Sequence, residues 1–267
     1  AVDGLCATAC PVDINTGDLV KRLRRENHSV VASNIALWIA RHFTITAWTA
    51  RAALKIGFGV NTLLGKNTMA HLTKGIKKII PSMPLWSTQI TYPPDLSVLK
   101  IKKKLTHSNE DTIVYFPSCI SRMLGSYKGK EKNIMQTFMS ICSKCDIEAV
   151  VFDNVNSSCC SQIFSSKGFN KASAFKANDI VSRLWKSSNG GAFTIVIDVS
   201  SCAYTLHHLR PSLTEENKRK FDKLTILDSV DFLHDKVIPV AMPKQQKNNI
   251  VLHTVCSLEK MNTTNKF

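Results

Sequence analysis

The chain has 267 residues, 44% hydrophobic and 21% charged, with a formal net charge of +15. That is an ordinary globular composition, long enough for one large or two modest domains with apolar cores. The positive charge is spread along the chain, with one knot at Lys100, Lys102, Lys103 and Lys104 and no arginine-rich stripe, which argues against a nucleic-acid partner.

Beside a bilayer the same charge favours anionic lipid heads, so peripheral contact with a membrane is compatible with it. No basic-then-apolar leader is seen at the start. The most apolar window, residues 35–64, carries Arg41, His42, Arg51 and Lys55, which a lipid-buried helix does not tolerate without partners. Nine cysteines, an odd number in a long chain, favour metal or redox use in a reducing compartment over disulfides. A cytoplasmic location is expected.

The chain opens AVDGLCATACP. Laid on the bacterial ferredoxin run C-x2-C-x2-C-x3-C-P, Cys6 and Cys10 take the third and fourth cysteine positions. Asp3 falls at the second position, as an oxygen ligand or a mere occupant, and the first would precede Ala1. The chain therefore reads as a piece of something longer. Residues 16–80 have helical periodicity through Leu19, Leu23, Ile35, Trp38, Ala47, Leu54, Leu64, Leu72 and Ile76. Pro81 and Pro84 end it. Residues 81–111 read as an extended, partly basic linker.

From Thr112 the pattern changes. TIVYFPS, EAVVFDN, AFTIVIDVS, LTIL and NIVLH read as strands. Residues 131–144, 170–188, 214–222 and 229–235 read as the helices between them. The alternation predicts an α/β domain over 112–249 with a largely parallel sheet, giving an α + α/β chain overall. In such sheets, sites collect at the C-terminal ends of strands. Cys119, Cys159, Cys160, Cys202 and Cys256 all fall just beyond predicted strands. Vicinal disulfides are strained, so the adjacent pair Cys159 and Cys160 is better explained as soft thiolate ligands. Lys167, Gly168 and the flanking serines could add a tight turn and hydrogen bonds to cluster sulfides.

Cys142 and Cys145 (CSKC) form a C-x2-C pair, which can be half a zinc or cluster site. Their place at the end of an apolar helix instead suits small buried hydrophobes. His207 and His208 read as solvated or capping residues, and the tryptophans as core or interface anchors. No Ser-His-Asp arrangement, paired-carboxylate signature or Gly-rich phosphate loop is present.

The stretches CATACPVDINTGDLVKRLR, VYFPSCISRMLG, CCSQIFSSKGF, DVSSCAYTL and LHTVCSLEKM together resemble the C-terminal iron–sulfur part of the FAD- and iron–sulfur-containing D-lactate dehydrogenases, of the glycolate oxidase type. The second half is similar to the cysteine-rich domain of heterodisulfide reductase and anaerobic glycerol-3-phosphate dehydrogenase subunits. The resemblance implies an upstream FAD domain that oxidises D-lactate, with electrons passing singly through [4Fe–4S] clusters to a cytochrome or quinone acceptor. It implies Cys6 and Cys10 as ferredoxin-type ligands within a helical segment spanning 1–80. It also implies Cys119, Cys159, Cys160 and Cys202 as the first cysteine-rich repeat, with Cys256 opening a second, truncated repeat at 250–267. Three departures stand out. Ser161 occupies the place where the family has a glycine. Val199 and Thr205 stand where a C-x-x-C partner of Cys202 would be. The chain also ends shortly after Cys256. The competing reading from another class is a structural zinc-binding interaction module.

Overall fold

The computed structural model describes residues 11–12, 14–81, 83–100, 112–125, 132–151, 154–241 and 251–266. Strands β1 (Ile113–Phe116), β2 (Ala149–Val151), β3 (Thr194–Ile197) and β4 (Ile226–Asp228) form one parallel sheet in the order β2-β1-β3-β4. The architecture is therefore α + α/β. Runs such as IVYF and TIVI are apolar throughout because a parallel sheet is covered on both faces. Val114, Phe116, Ile195 and Ile197 meet one apolar cluster, whereas Ile113, Tyr115 and Val196 meet the other.

The first cluster is closed by α8 (Asn170–Ser187), through Ala177, Ile180, Val181 and Leu184, and by α9 (Ser200–His207), through Ala203 and Leu206. On the second face lie α6 (Ile134–Lys144), with Met135, Phe138 and Cys142, and Phe232 of α11 (Ser229–Phe232). Phe138 stacks on Tyr115, with ring centroids 4.2 Å apart. Short helices α5 (Cys119–Met123) and α7 (Gln162–Ser165) follow the cysteine loops, and α10 (Glu215–Phe221) precedes β4. After α11 the chain makes a π-turn and enters α12 (Ile238–Ala241).

Ahead of the sheet lie α1 (Thr16–Glu26), α2 (Val30–Arg41), α3 (Phe43–Leu64) and α4 (Thr68–Ile79). Asn15 and Ser29 cap the first two by accepting from the Asp18 and Ala32 amides. Gly65, at φ +110°, ends α3. The small residues Ala36 and Ala40 let α2 lie close on α8, forming a third apolar cluster with Phe43, Ala47, Phe164 and Ala172.

Two expectations change. The described part of the connector is strapped down rather than loose. Trp86 packs on Gly57, Phe58 meets the edges of Trp86 and Tyr92, and Thr91 donates to the Gly125 carbonyl at 3.1 Å. The expected strand at NIVLH is absent from its described residues, 251–253, and Val251 is 98% exposed. Cys256 instead opens α13 (Cys256–Lys260).

The turn after the paired cysteines fastens α1 to the α/β domain. Arg24 donates to the Ser166 carbonyl, and the His28 ring bonds the Lys167 carbonyl at 2.6 Å and stacks on Phe169. Gly168 sits at φ +84°, and a methyl group there would stand 2.8 Å from the Arg25 nitrogen and 3.0 Å from the Lys21 carbonyl. Gly168→Ala should therefore lower stability by about 2 kcal/mol through strain and this clash. Chemical denaturation reads this directly, and an unchanged midpoint would contradict the packing.

Candidate metal-ligating cysteine site

In the order β2-β1-β3-β4, the chain leaves β1 toward one edge and β3 toward the other, so the topological switch lies between them. Loops beyond the C-terminal ends of these strands diverge and leave a crevice. Cys119 follows β1 and Cys202 follows β3, while Cys159 and Cys160 arrive on the loop after β2. All four are buried.

Their sulfurs form a chain of contacts. Cys160 donates to the Cys202 sulfur at 3.0 Å, and the Cys119, Cys159 and Cys160 thiols lie near enough to shift one another's ionisation. The Ser161 amide also donates to the Cys159 sulfur at 3.4 Å. None of the four is in a disulfide. The bond from Cys159, together with burial, pushes the Cys119 thiol far up. At Cys159 the bond from Cys119 pulls down, but the bond to Cys160 and burial prevail and push it up to about 12. At Cys160 the bond from Cys159 pulls down and is outweighed by the bond to Cys202 and burial, so its thiol also lies well above the usual range. As arranged, Cys119, Cys159 and Cys160 are held as thiols at neutral pH.

A buried cation faces them. Arg122 is 3% exposed, its Nε donating to the Pro117 and Ser118 carbonyls at 3.2 and 3.3 Å. One terminal nitrogen donates to the Ser158 carbonyl. Burial lowers its pKa, while Cys119, Cys159, Asp198 and Cys160 pull it back up. Lys176, also buried, donates to the Ser157 carbonyl at 2.9 Å and pairs with Asp179 at 2.7 Å. Asp198, at the end of β3, accepts from the Tyr115 hydroxyl at 2.9 Å and the Ser118 amide at 2.8 Å. It thereby joins β3 to the loop that bears Cys119.

Ser161 explains its own departure from the family pattern. Its φ is +80°, the left-handed region that favours glycine, and its hydroxyl is bonded to that of Ser173 at 2.7 Å. The side chain is thus tied down where glycine would have none.

The other sequence candidates lie elsewhere. Cys142 is buried in α6 and Cys145 caps its end, as expected of structural thiols. His208 bonds the Tyr204 carbonyl at 2.7 Å, and burial lowers the pKa of His207. Cys256 is half-buried on the wall of a cavity of about 450 Å³, shared with Ser201, Thr205 and Lys260. Lys167 and Gly168 hold α1 rather than the sulfurs. Cys6, Cys10 and Asp3 lie outside the described residues. Sequence reasoning passed over Arg122, Lys176, Asp198 and Tyr115. For Arg122 a signal existed, since it stands three residues after Cys119 and so shares its helical face.

Whether these residues suit a metal can be judged from their chemistry. Soft, buried sulfur donors beside a buried guanidinium suit an anionic thiolate–iron group. The Ser158 hydroxyl, next to Cys159, is fully buried with no hydrogen-bond partner, so a donor is free there. The sulfurs must spread to take metal. Two thiolates at about 2.3 Å on one tetrahedral ion stand about 3.8 Å apart, wider than Cys160 and Cys202 now are. Consistent with this, among the described residues no three His, Cys, Asp or Glu side chains are placed to hold a single metal ion.

Compared with known protein families, curated proteins and solved structures, the chain finds no match.

Two outcomes are expected from this geometry. Without metal, iodoacetamide at pH 8 should label the half-buried Cys145 and Cys256, leaving Cys119, Cys159, Cys160 and Cys202 unmodified until the chain unfolds, because all four are buried and Cys119, Cys159 and Cys160 are also held as thiols. Peptide mass spectrometry checks this, and rapid labelling of the quartet would contradict its burial. Ser161→Gly should leave stability within about 1 kcal/mol, while Ser161→Val should cost about 2 kcal/mol or more by forcing a β-branched residue to positive φ. Equal thermal midpoints for the two variants would refute the left-handed backbone at this position.

Proposed function

We propose that this chain is the iron–sulfur electron-transfer segment of an FAD-dependent dehydrogenase of D-lactate or a related 2-hydroxy acid. The observation that carries the reading is the sulfur chain Cys119–Cys159–Cys160–Cys202 at the C-terminal edge of the sheet, with a buried guanidinium beside it. Cys119, Cys159, Cys160 and Cys202 would hold a [4Fe–4S] cluster, and Cys6 and Cys10 would contribute to a ferredoxin-type site. A bound cluster supplies one-electron storage between a two-electron donor and a one-electron acceptor.

The chain's own residues set the conditions for that chemistry. Arg122 offsets negative charge in a place from which water is excluded, which favours the thiolate form and raises the reduction potential. Arg122 and Lys176 hold the adjacent Ser158 and Ser157 carbonyls just ahead of Cys159. The Ser161 amide, already aimed at the Cys159 sulfur, is a donor that tunes it further. Hydride removal from substrate belongs to a flavin in an upstream domain, and no residue here is assigned to FAD or to lactate. The acceptor would be a cytochrome or quinone. Within the same class, an iron–sulfur subunit of glycolate oxidase, glycerol-3-phosphate dehydrogenase or heterodisulfide reductase would use the quartet in the same way. A zinc-binding interaction module would instead take up zinc without colour or redox signal.

Anaerobic reconstitution with ferrous iron and sulfide decides between these. The chain should turn brown and give a paramagnetic resonance signal on reduction, and the double variant Cys159→Ser, Cys160→Ser should lose most of the iron and acid-labile sulfide of the α/β site. Unchanged iron and sulfide in the double variant would remove the quartet from the site.

A further inference from the structure

The helical segment is packed with its small residues inward and its large apolar ones outward. In α2 the buried residues are Ala36 and Ala40, while Val31, Ile35 and Trp38 are exposed. In α3 the buried positions are Phe43, Ala47 and Gly57. Ile45, Trp48, Ile56 and Leu63 fall on the opposite face at helical spacing, with Trp48 69%, Ile56 68% and Leu63 84% exposed. A helix that serves only its own core does the reverse. An exposed apolar surface continuing across two helices, with two tryptophans in it, marks an interaction site.

The segment that forms this surface carries charge of one sign. From Asn27 to Pro94 the chain contains no aspartate or glutamate. Its cations Arg41, Lys55, Lys66, Lys74, Lys77 and Lys78 are all exposed. The remaining one, Arg51, turns inward to the Arg122 and Pro94 carbonyls. No helix among the described residues is long and apolar enough to cross a membrane.

We infer that the outer face of α2 and α3, with the basic residues that flank it, docks on the surface of an anionic lipid bilayer. The partner is chosen by the combination. Apolar side chains and tryptophans seat at the boundary between headgroups and acyl chains, and exposed lysines and arginines attract the anionic headgroups. Nucleic acid would use the cations but leave Trp48, Ile56 and Leu63 in water. The inference goes beyond the electron-transfer reading and does not rest on it, because none of these residues touches the cysteine quartet.

The test uses the full chain with sedimentable vesicles of phosphatidylcholine, with and without phosphatidylglycerol. Binding is expected only to the anionic vesicles, falling with salt and accompanied by a blue shift of tryptophan emission. Lys74→Gln with Lys77→Gln and Lys78→Gln should weaken it by about 100-fold at low salt, and Trp48→Glu with Ile56→Glu should abolish it while circular dichroism stays unchanged. Cys159→Ser with Cys160→Ser should leave it intact, so failure here and failure of the iron–sulfur reading are separable. The proposal is overturned by absence of binding to anionic vesicles, by equal binding of the Trp48→Glu, Ile56→Glu chain, or by self-association that buries Trp48. Salt-dependent binding to a DNA duplex that competes with the vesicles and ignores Trp48→Glu would overturn it as well.

Discussion

A guanidinium without water must find acceptors, and in this chain that requirement organises the site. Arg122 is buried in α5 and takes carbonyls from two separate loops, Pro117 and Ser118 after β1 and Ser158 after β2. The Ser118 and Ser158 carbonyls immediately precede Cys119 and Cys159. Leaving a buried charge unpaired costs about 3–5 kcal/mol, so the loops are held to it. Arg51 of α3 then bonds the Arg122 carbonyl, which places the helical segment on the same frame. The sulfurs meet because the backbone around one cation is not free to part.

The sheet supplies the other half of that constraint. Its parallel strands deliver three loops to one edge, and Asp198 fixes the distance between two of them by accepting from both Tyr115 and the Ser118 amide. Asp198 stands close enough to Arg122 to favour its charged form, while the Cys119, Cys159 and Cys160 thiols, raised by burial and by one another, carry little charge until something replaces their protons. The arrangement is thus poised for deprotonation by a metal rather than by solvent. Arg122, Lys176 and Asp198 all have polar partners, whereas the buried Ser158 hydroxyl has none among the described residues.

Much of this was legible in the chain. Four strands stand out as unbroken apolar runs, since a sheet covered on both faces gives no polar alternation, and the cysteines at their ends pointed to the crevice. What was hidden depended on pairs distant in sequence. Arg122 and Lys176 escaped notice because charged residues are rarely buried without partners, and their partners include carbonyls, which no sequence pattern displays. The positive φ of Ser161 was masked by a side chain that glycine would lack. The run at NIVLH forms no strand over its described residues, because a short apolar run does not by itself specify one and strand formation depends on packing context. For the tryptophans of α2 and α3, read as core or interface anchors, the core alternative falls away because both are exposed, and periodicity alone cannot say which face of a helix is covered.

The central claim is that the α/β domain's own quartet can grip iron, independently of the N-terminal cysteines. Mössbauer spectroscopy of a Cys6→Ser, Cys10→Ser chain, reconstituted anaerobically with isotopically enriched iron and sulfide, tests it most directly. The account predicts that an iron–sulfide spectrum persists in this chain and vanishes when Cys119 and Cys202 are also made serine. A chain that holds no iron once Cys6 and Cys10 are gone would contradict it.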